Sequence, residues 1–193
     1  MPEPNKQEGR YHLGLKNAHY YPATWDEKLN KLTLGTGKPW KGAVSLSIDV
    51  SGDSNTVYAD DGTWAITEAI PKEELDLEIF QIPEDFQIAH LGARRDTDGN
   101  IVNGDSDKGS HFAFAFEFDQ DTQARRFLYF YCKAAMPSTS SETKKESNEP
   151  KPMKIKIKAA GLSGIGRRKV SSPQTKPEVY ESWYTTPKVP TFG

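Results

Sequence analysis

Polar and apolar residues alternate with a period of two in four separate stretches of the chain. Side chains at successive positions then fall on opposite faces, which is the pattern of a β-strand lying between two environments. Residues 44–50 (VSLSIDV) set Val44, Leu46, Ile48 and Val50 against Ser45, Ser47 and Asp49. Residues 74–82 set Glu74, Asp76 and Glu78 against Leu75, Leu77 and Ile79. Residues 111–118 (HFAFAFEF) line up Phe112, Phe114, Phe116 and Phe118 on one face, which needs a core, and His111, Ala113, Ala115 and Glu117 on the other. Residues 153–159 (MKIKIKA) carry Lys154, Lys156 and Lys158 on one face, a common guard against pairing at a sheet edge.

The weaker signals fill in the order of elements. Residues 11–21 predict a first extended segment closed by Pro22, and Leu32 and Leu34 form a short apolar pair ahead of the turn GTGKP at 35–39. Residues 125–133 (RRFLYFYCK) predict the antiparallel partner of the Phe-faced strand, and residues 179–184 a last strand before a Pro-rich tail. The period of two breaks at residues 83–92 (PEDFQIAHLG). Pro83 suits the first helical position, Glu84 and Asp85 the positive end of the helix dipole, and Gly92 a left-handed cap. Phe86, Ala89 and His90 form its predicted buried stripe, flanked by Ile88 and Leu91. Residues 94–108 are polar, with a hairpin turn at Asp98-Gly99-Asn100; the glycine comes too early for a calcium loop.

Residues 136–152 hold four serines, three lysines, three glutamates and three prolines, and cannot pack a core of their own. The sum is a mainly β chain: an antiparallel β-sandwich or partial barrel of seven to eight strands with one short flanking α-helix. Residues 1–10 are expected to be a flexible arm, 11–172 the β domain including the 136–152 loop, and 173–193 a C-terminal extension.

Composition alters this picture in two ways. At 193 residues with 35% apolar residues and a mean hydropathy of −0.72, the chain is polar for one globular domain, so some segments are expected to be irregular or to await a partner. Charge is also segregated beneath a net of −2: residues 49–121 carry 18 acidic and 4 basic residues, whereas residues 122–193 carry 14 basic and 5 acidic. Either the blocks form opposite patches suited to head-to-tail docking between copies, or folding interleaves them. The single cysteine, Cys132, allows no intramolecular disulfide and sits in an apolar run as a small hydrophobe. No secretory signal and no membrane-length apolar run is visible, which points to folding in a reducing cytoplasm.

Catalytic motifs are missing from the sequence. His12, His19, His90 and His111 lie in different segments without metal-ligand spacing, and no nucleophile elbow, P-loop or dinucleotide fingerprint occurs. Neither an enzyme nor a cofactor is expected. A carbohydrate-binding or host-recognition module, stacking sugars on Tyr58, Trp64, Trp183 and Tyr184, is the alternative class.

Residues 14–22 (GLKNAHYYP) and 56–64 (TVYADDGTW), together with the strand-PED-helix-LG succession ending at Gly92, resemble the opening of the phi13-type family of phage major tail proteins. That resemblance implies a structural virion protein of the phage tail, made in the host cytoplasm, whose hexameric rings stack into a tube with each subunit adding strands to a continuous barrel. Its implied partners are copies of itself, the tape measure protein and viral DNA in the bore, and tail terminator and tip proteins, with no membrane. Under that architecture the small or acidic strand faces, Ser45, Ser47 and Asp49 with Ala113, Ala115 and Glu117, are candidates for the tube lumen; an ordinary solvent face is the alternative. Met136, Lys144, Lys145, Glu146, Pro152, Trp183 and Tyr184 are candidates for contacts between subunits or rings.

Overall fold

All four alternating stretches form strands in the computed structural model, which describes residues 14–52, 54–59, 62–68, 72–104, 108–118, 125–137 and 151–192. In chain order the strands are β1 (Leu15–Asp26), β2 (Lys31–Leu34), β3 (Lys38–Pro39), β4 (Ala43–Ser51), β5 (Ser54–Ala59), β6 (Gly62–Glu68), β7 (Lys72–Ile79), β8 (Arg94–Arg95), β9 (Ile101–Val102), β10 (Phe112–Phe118), β11 (Arg126–Ala134), β12 (Met153–Ala159) and β13 (Arg168–Val170). A nine-stranded antiparallel sheet runs β2-β1-β10-β11-β12-β7-β4, with β13 joined to β11 and β3 to β1. The pairs β5-β6 and β8-β9 are separate hairpins. The fold is thus mainly β and antiparallel, of the sandwich or partial-barrel kind.

One sheet face wraps the principal core. Tyr20 of β1, Leu75, Leu77 and Ile79 of β7, the four phenylalanines of β10, Tyr129 of β11 and Ile155 and Ile157 of β12 meet in one buried cluster, with Leu46 and Ile48 of β4 packed against it. Side chains from both halves of so long a sheet share one cluster only if the sheet curls on itself. Helix α1 (Glu84–Phe86) continues as a π-helical turn, Gln87–Leu91, and covers this core through Phe86 and Leu91. The helix ends at Gly92 with φ of 88°, the left-handed conformation expected of the cap. The wider π turn moves the buried stripe from the expected Phe86, Ala89 and His90 to Phe86, His90 and Leu91, leaving Ala89 exposed.

A second core lies on the other face of β1, β10 and β11, where Tyr21, Ala113, Ala115, Leu128 and Phe130 pack against Leu162, Ile165 and Trp183. This changes the reading of the C-terminal segment. Residues 179–184 are not a strand: helix α2 (Pro177–Glu181) begins with proline near its first turn, and Ser182 Oγ donates to the Glu178 carbonyl at 2.6 Å. Val179, Trp183 and Tyr184, spaced by four and five residues, turn one side toward the second core. The segment over 173–192 is therefore part of the fold and not an extension from it.

Two further expectations are corrected. β1 does not stop at Pro22 but runs on to Asp26, because Pro22 falls between the β3 partners of His19 and Tyr20 and the β2 partners that begin at Ala23. Its missing N–H breaks no ladder bond there, and its carbonyl accepts from the Gly35 N–H at 2.8 Å. The lysine-bearing strand β12 is not an edge strand, since it lies between β11 and β7. Among the described residues the long sheet ends at the four-residue β2 and at β4, whose far side carries no partner strand. The hairpin expected near Asp98 is present as β8-β9, closed by Asp96 accepting from the N–H groups of Asp98 and Asn100. Residues 1–13 and 138–150, with the expected arm and most of the polar loop, lie outside the described residues.

Candidate assembly surface

β4, β7 and β12 pair in register, so their outward side chains form rows: Ser45, Glu78 and Lys154; Ser47, Asp76 and Lys156; Asp49, Glu74 and Lys158. Ser45 Oγ donates to Glu78 at 2.7 Å, Lys154 meets Asp76 at 2.9 Å and Lys158 meets Glu74 at 3.4 Å. Solvent screens contacts of this exposed kind, so they set the register and the charge of the face more than its stability. They also answer the charge-block question for this region: the acidic block lies beside the basic one within a single subunit. Ser45, Ser47 and Asp49 are all exposed, as a channel wall or a solvent face requires.

The other three lumen candidates do not share that exposure. Ala113 and Ala115 are fully buried and Glu117 is 8% exposed, because the C-terminal segment covers the outer face of β10. Glu117 accepts from Asn17 Nδ2 at 2.5 Å, Arg126 Nε at 3.0 Å and the Tyr184 hydroxyl at 3.0 Å. Burial, and then the Glu117 charge, push the Tyr184 phenol well above its ordinary range, so it stays a donor. Glu117 is a structural anion and not part of any channel wall.

The inter-subunit candidates divide similarly. Met136 is 51% exposed and Pro152 is half-buried, whereas Lys144, Lys145 and Glu146 lie outside the described residues. Trp183 is 2% exposed; its Nε1 donates to the Phe127 carbonyl at 3.3 Å, and Lys169 Nζ sits 4.3 Å from its ring centre. Trp183 is thus an internal anchor, with no face for a sugar or a neighbouring subunit.

A buried ionic group belongs to no sequence motif. Glu73, 7% exposed, accepts from the Tyr129 hydroxyl at 2.8 Å, Arg168 at 2.9 Å and Arg167 at 3.2 Å. It ties β7, just after the β5-β6 hairpin, to β11 and β13. The signal was present: Glu73 has the same parity as Leu75, Leu77 and Ile79, so the period of two already places it on the buried face.

His90 is core, not a ligand. It is 1% exposed among the rings of Tyr20, Phe86 and Phe112, with Nδ1 3.2 Å from Ser110 Oγ. Burial lowers its pKa below the ordinary 6.5, so the folded protein holds it neutral while the unfolded chain protonates it first. Stability is therefore expected to fall as pH drops below about 6.5. Urea titrations across pH 5–7 should show a shallower loss for His90→Phe than for the parent chain; parallel profiles would remove His90 from the acid response.

The remaining feature is the edge itself. β4 is nine residues long, carries neither lysine nor proline, and exposes Val44 at 42% and Val50 at 61%. Natural sheets usually blunt so long an edge with charge, proline or a covering segment. Among the described residues β4 has one charge, Asp49, and a bulge near its start, between Ala43 and Ser45, but no covering segment. Among the described residues no helix is long and apolar enough to cross a membrane. No known family model and no curated protein matches this sequence.

Proposed function

We propose that this chain is a structural subunit that assembles with its own copies into stacked, hexameric rings, forming the hollow tail tube of a long-tailed bacterial virus. The observation that carries this reading is the long β4 edge, unpaired among the described residues, at the border of a wholly polar outward sheet face. Such an edge is an aggregation hazard in a lone subunit and becomes an assembly rule when copies add strand to strand around a closed ring. The β5-β6 hairpin adds support, because two strands outside any larger sheet are only marginally stable in water and are suited to rest on a neighbour.

In the assembled tube the β4-β7-β12 face lines the bore. Ser45 and Ser47 keep it open, and the carboxylates of Asp49, Glu74, Asp76 and Glu78 hold phosphate backbones off the wall. The three lysines of β12 partly offset that charge, which makes the wall striped instead of uniformly acidic. Viral DNA and the tape measure protein are the partners inside, and terminator and tip proteins those at the ends.

Negative-stain electron microscopy of the concentrated protein is expected to show rings or long hollow tubes. Discrete monomers at every concentration and salt, together with glycan binding, would favour a carbohydrate-binding module instead. In a phage carrying Asp49→Lys, tubes should still form while genome ejection slows; unchanged ejection kinetics would take β4 off the channel wall.

A further inference from the structure

Residues 44–50 of the open edge read VSLSIDV, and in character they are the same in both directions about Ser47. Pairing this strand with a second copy running antiparallel, centred on Ser47, sets Val44 opposite Val50, Ser45 opposite Asp49, Leu46 opposite Ile48, and Ser47 opposite itself. Every pair is matched. The two exposed valines cover one another, each Asp49 lies opposite Ser45, whose hydroxyl turns from Glu78 to meet it, and not opposite a second carboxylate, and the aliphatic pair continues the core-facing side.

From this we infer that the free subunit pairs through β4 with a second copy about a two-fold axis at Ser47, joining the two long sheets into one whose centre reads β12-β7-β4 followed by the same three strands of the other copy in reverse order. A two-fold axis normal to the sheet keeps both polar faces on one side, so the central row reads Lys156, Asp76, Ser47 and then the same residues in reverse. Beneath it in each copy lies an open cleft of about 320 Å³, lined by Leu46 and Ile48 of β4 together with Phe118, Phe127 and Arg168. A contact of this symmetry closes on itself and cannot propagate. It therefore protects the edge without starting a polymer, and holds subunits as dimers until a ring-forming contact replaces it.

The two-fold pair and the head-to-tail contact of the proposed ring use the same β4 edge and exclude one another, so each can be tested without the other. Opposed Cα atoms in an antiparallel pair lie about 4.5–5.5 Å apart, within disulfide range. Ser47→Cys is therefore expected to give a disulfide-linked dimer on mild oxidation. The parent chain should give none, because Cys132 is fully buried. Ser47→Lys and Ser47→Asp, which place like charges across the axis, should each weaken dimerisation about tenfold in light-scattering titrations, and an equimolar mixture should restore it as the heterodimer. The inference is overturned if the parent chain is monomeric at high concentration, if the introduced thiols do not link, or if the mixture fails to restore pairing. Tubes seen by microscopy with no such dimer would sink this inference alone, and dimers without tubes would sink only the tube.

Discussion

Glu117→Lys is expected to leave little folded protein. The substituted ammonium would sit beside Arg126, within a pocket where the native carboxylate accepts from Asn17, Arg126 and Tyr184 and is 8% exposed. Removing one partner of a buried ion pair costs about 3–5 kcal/mol through the charge left behind, and reversing its sign adds repulsion. A denaturant midpoint far below that of the parent chain, or loss of soluble protein, is the expected result. Glu117→Gln keeps acceptor and shape and should lose less. Asp49→Lys, on the exposed face, should stay within about 0.5 kcal/mol of the parent. Near-parental stability for Glu117→Lys would mean that the outer face of β10 is open, and the channel-wall reading of Ala113, Ala115 and Glu117 would return.

A comparable loss is expected from a single methyl group at Gly109. A Cβ there would stand 1.8 Å from the His90 carbonyl oxygen and 2.7 Å from the Leu91 nitrogen, both backbone atoms at the end of the π turn. Neither can move without disturbing Gly92 and the cap, and the next residue, Ser110, donates from its N–H to the Ala89 carbonyl at 2.8 Å. Gly109→Ala should cost about 3 kcal/mol or more by thermal or urea unfolding. Gly161→Ala, with nothing within 4 Å of the added carbon, is the matched control and should change stability little. Equal melting curves for the two would show that residues 108–110 do not pack against the helix end.

The sequence makes the strands legible because a period of two needs no tertiary information. It shows β7, β10 and β12 with the correct inward residues and β4 with Leu46 and Ile48 inward, though Val44 and Val50 near its ends stay exposed, and the proline, acidic pair and glycine of residues 83–92 mark both ends of the helix. Periodicity cannot show what covers a face. Ala113 and Ala115 look like a surface of small side chains from within β10; they are small because Leu128, Phe130 and Trp183 crowd against them. The lysines of β12 look like an edge guard because the acidic row beside them belongs to β7, some eighty residues earlier. Glu73 and Glu117 show the same limit. Their charge suggests solvent; Glu73 is held by Arg167 and Arg168, 94 and 95 residues later, and Glu117, opposite Arg126 on β11, is closed in by Asn17 and Tyr184 from far along the chain.

The covering of β10 also has a consequence for the order of synthesis. Every strand of the polar face is complete once residue 159 has been made, and the principal core draws on nothing later. The second core waits for Leu162, Ile165 and Trp183. At roughly 5–20 residues per second, a growing chain spends a second or more with its β4 edge formed and the outer face of β1, β10 and β11 still bare. During that interval neighbouring nascent chains on one messenger present both kinds of sticky surface to each other, which makes the spacing of ribosomes, and any chaperone that binds apolar sheet, a determinant of how much subunit matures.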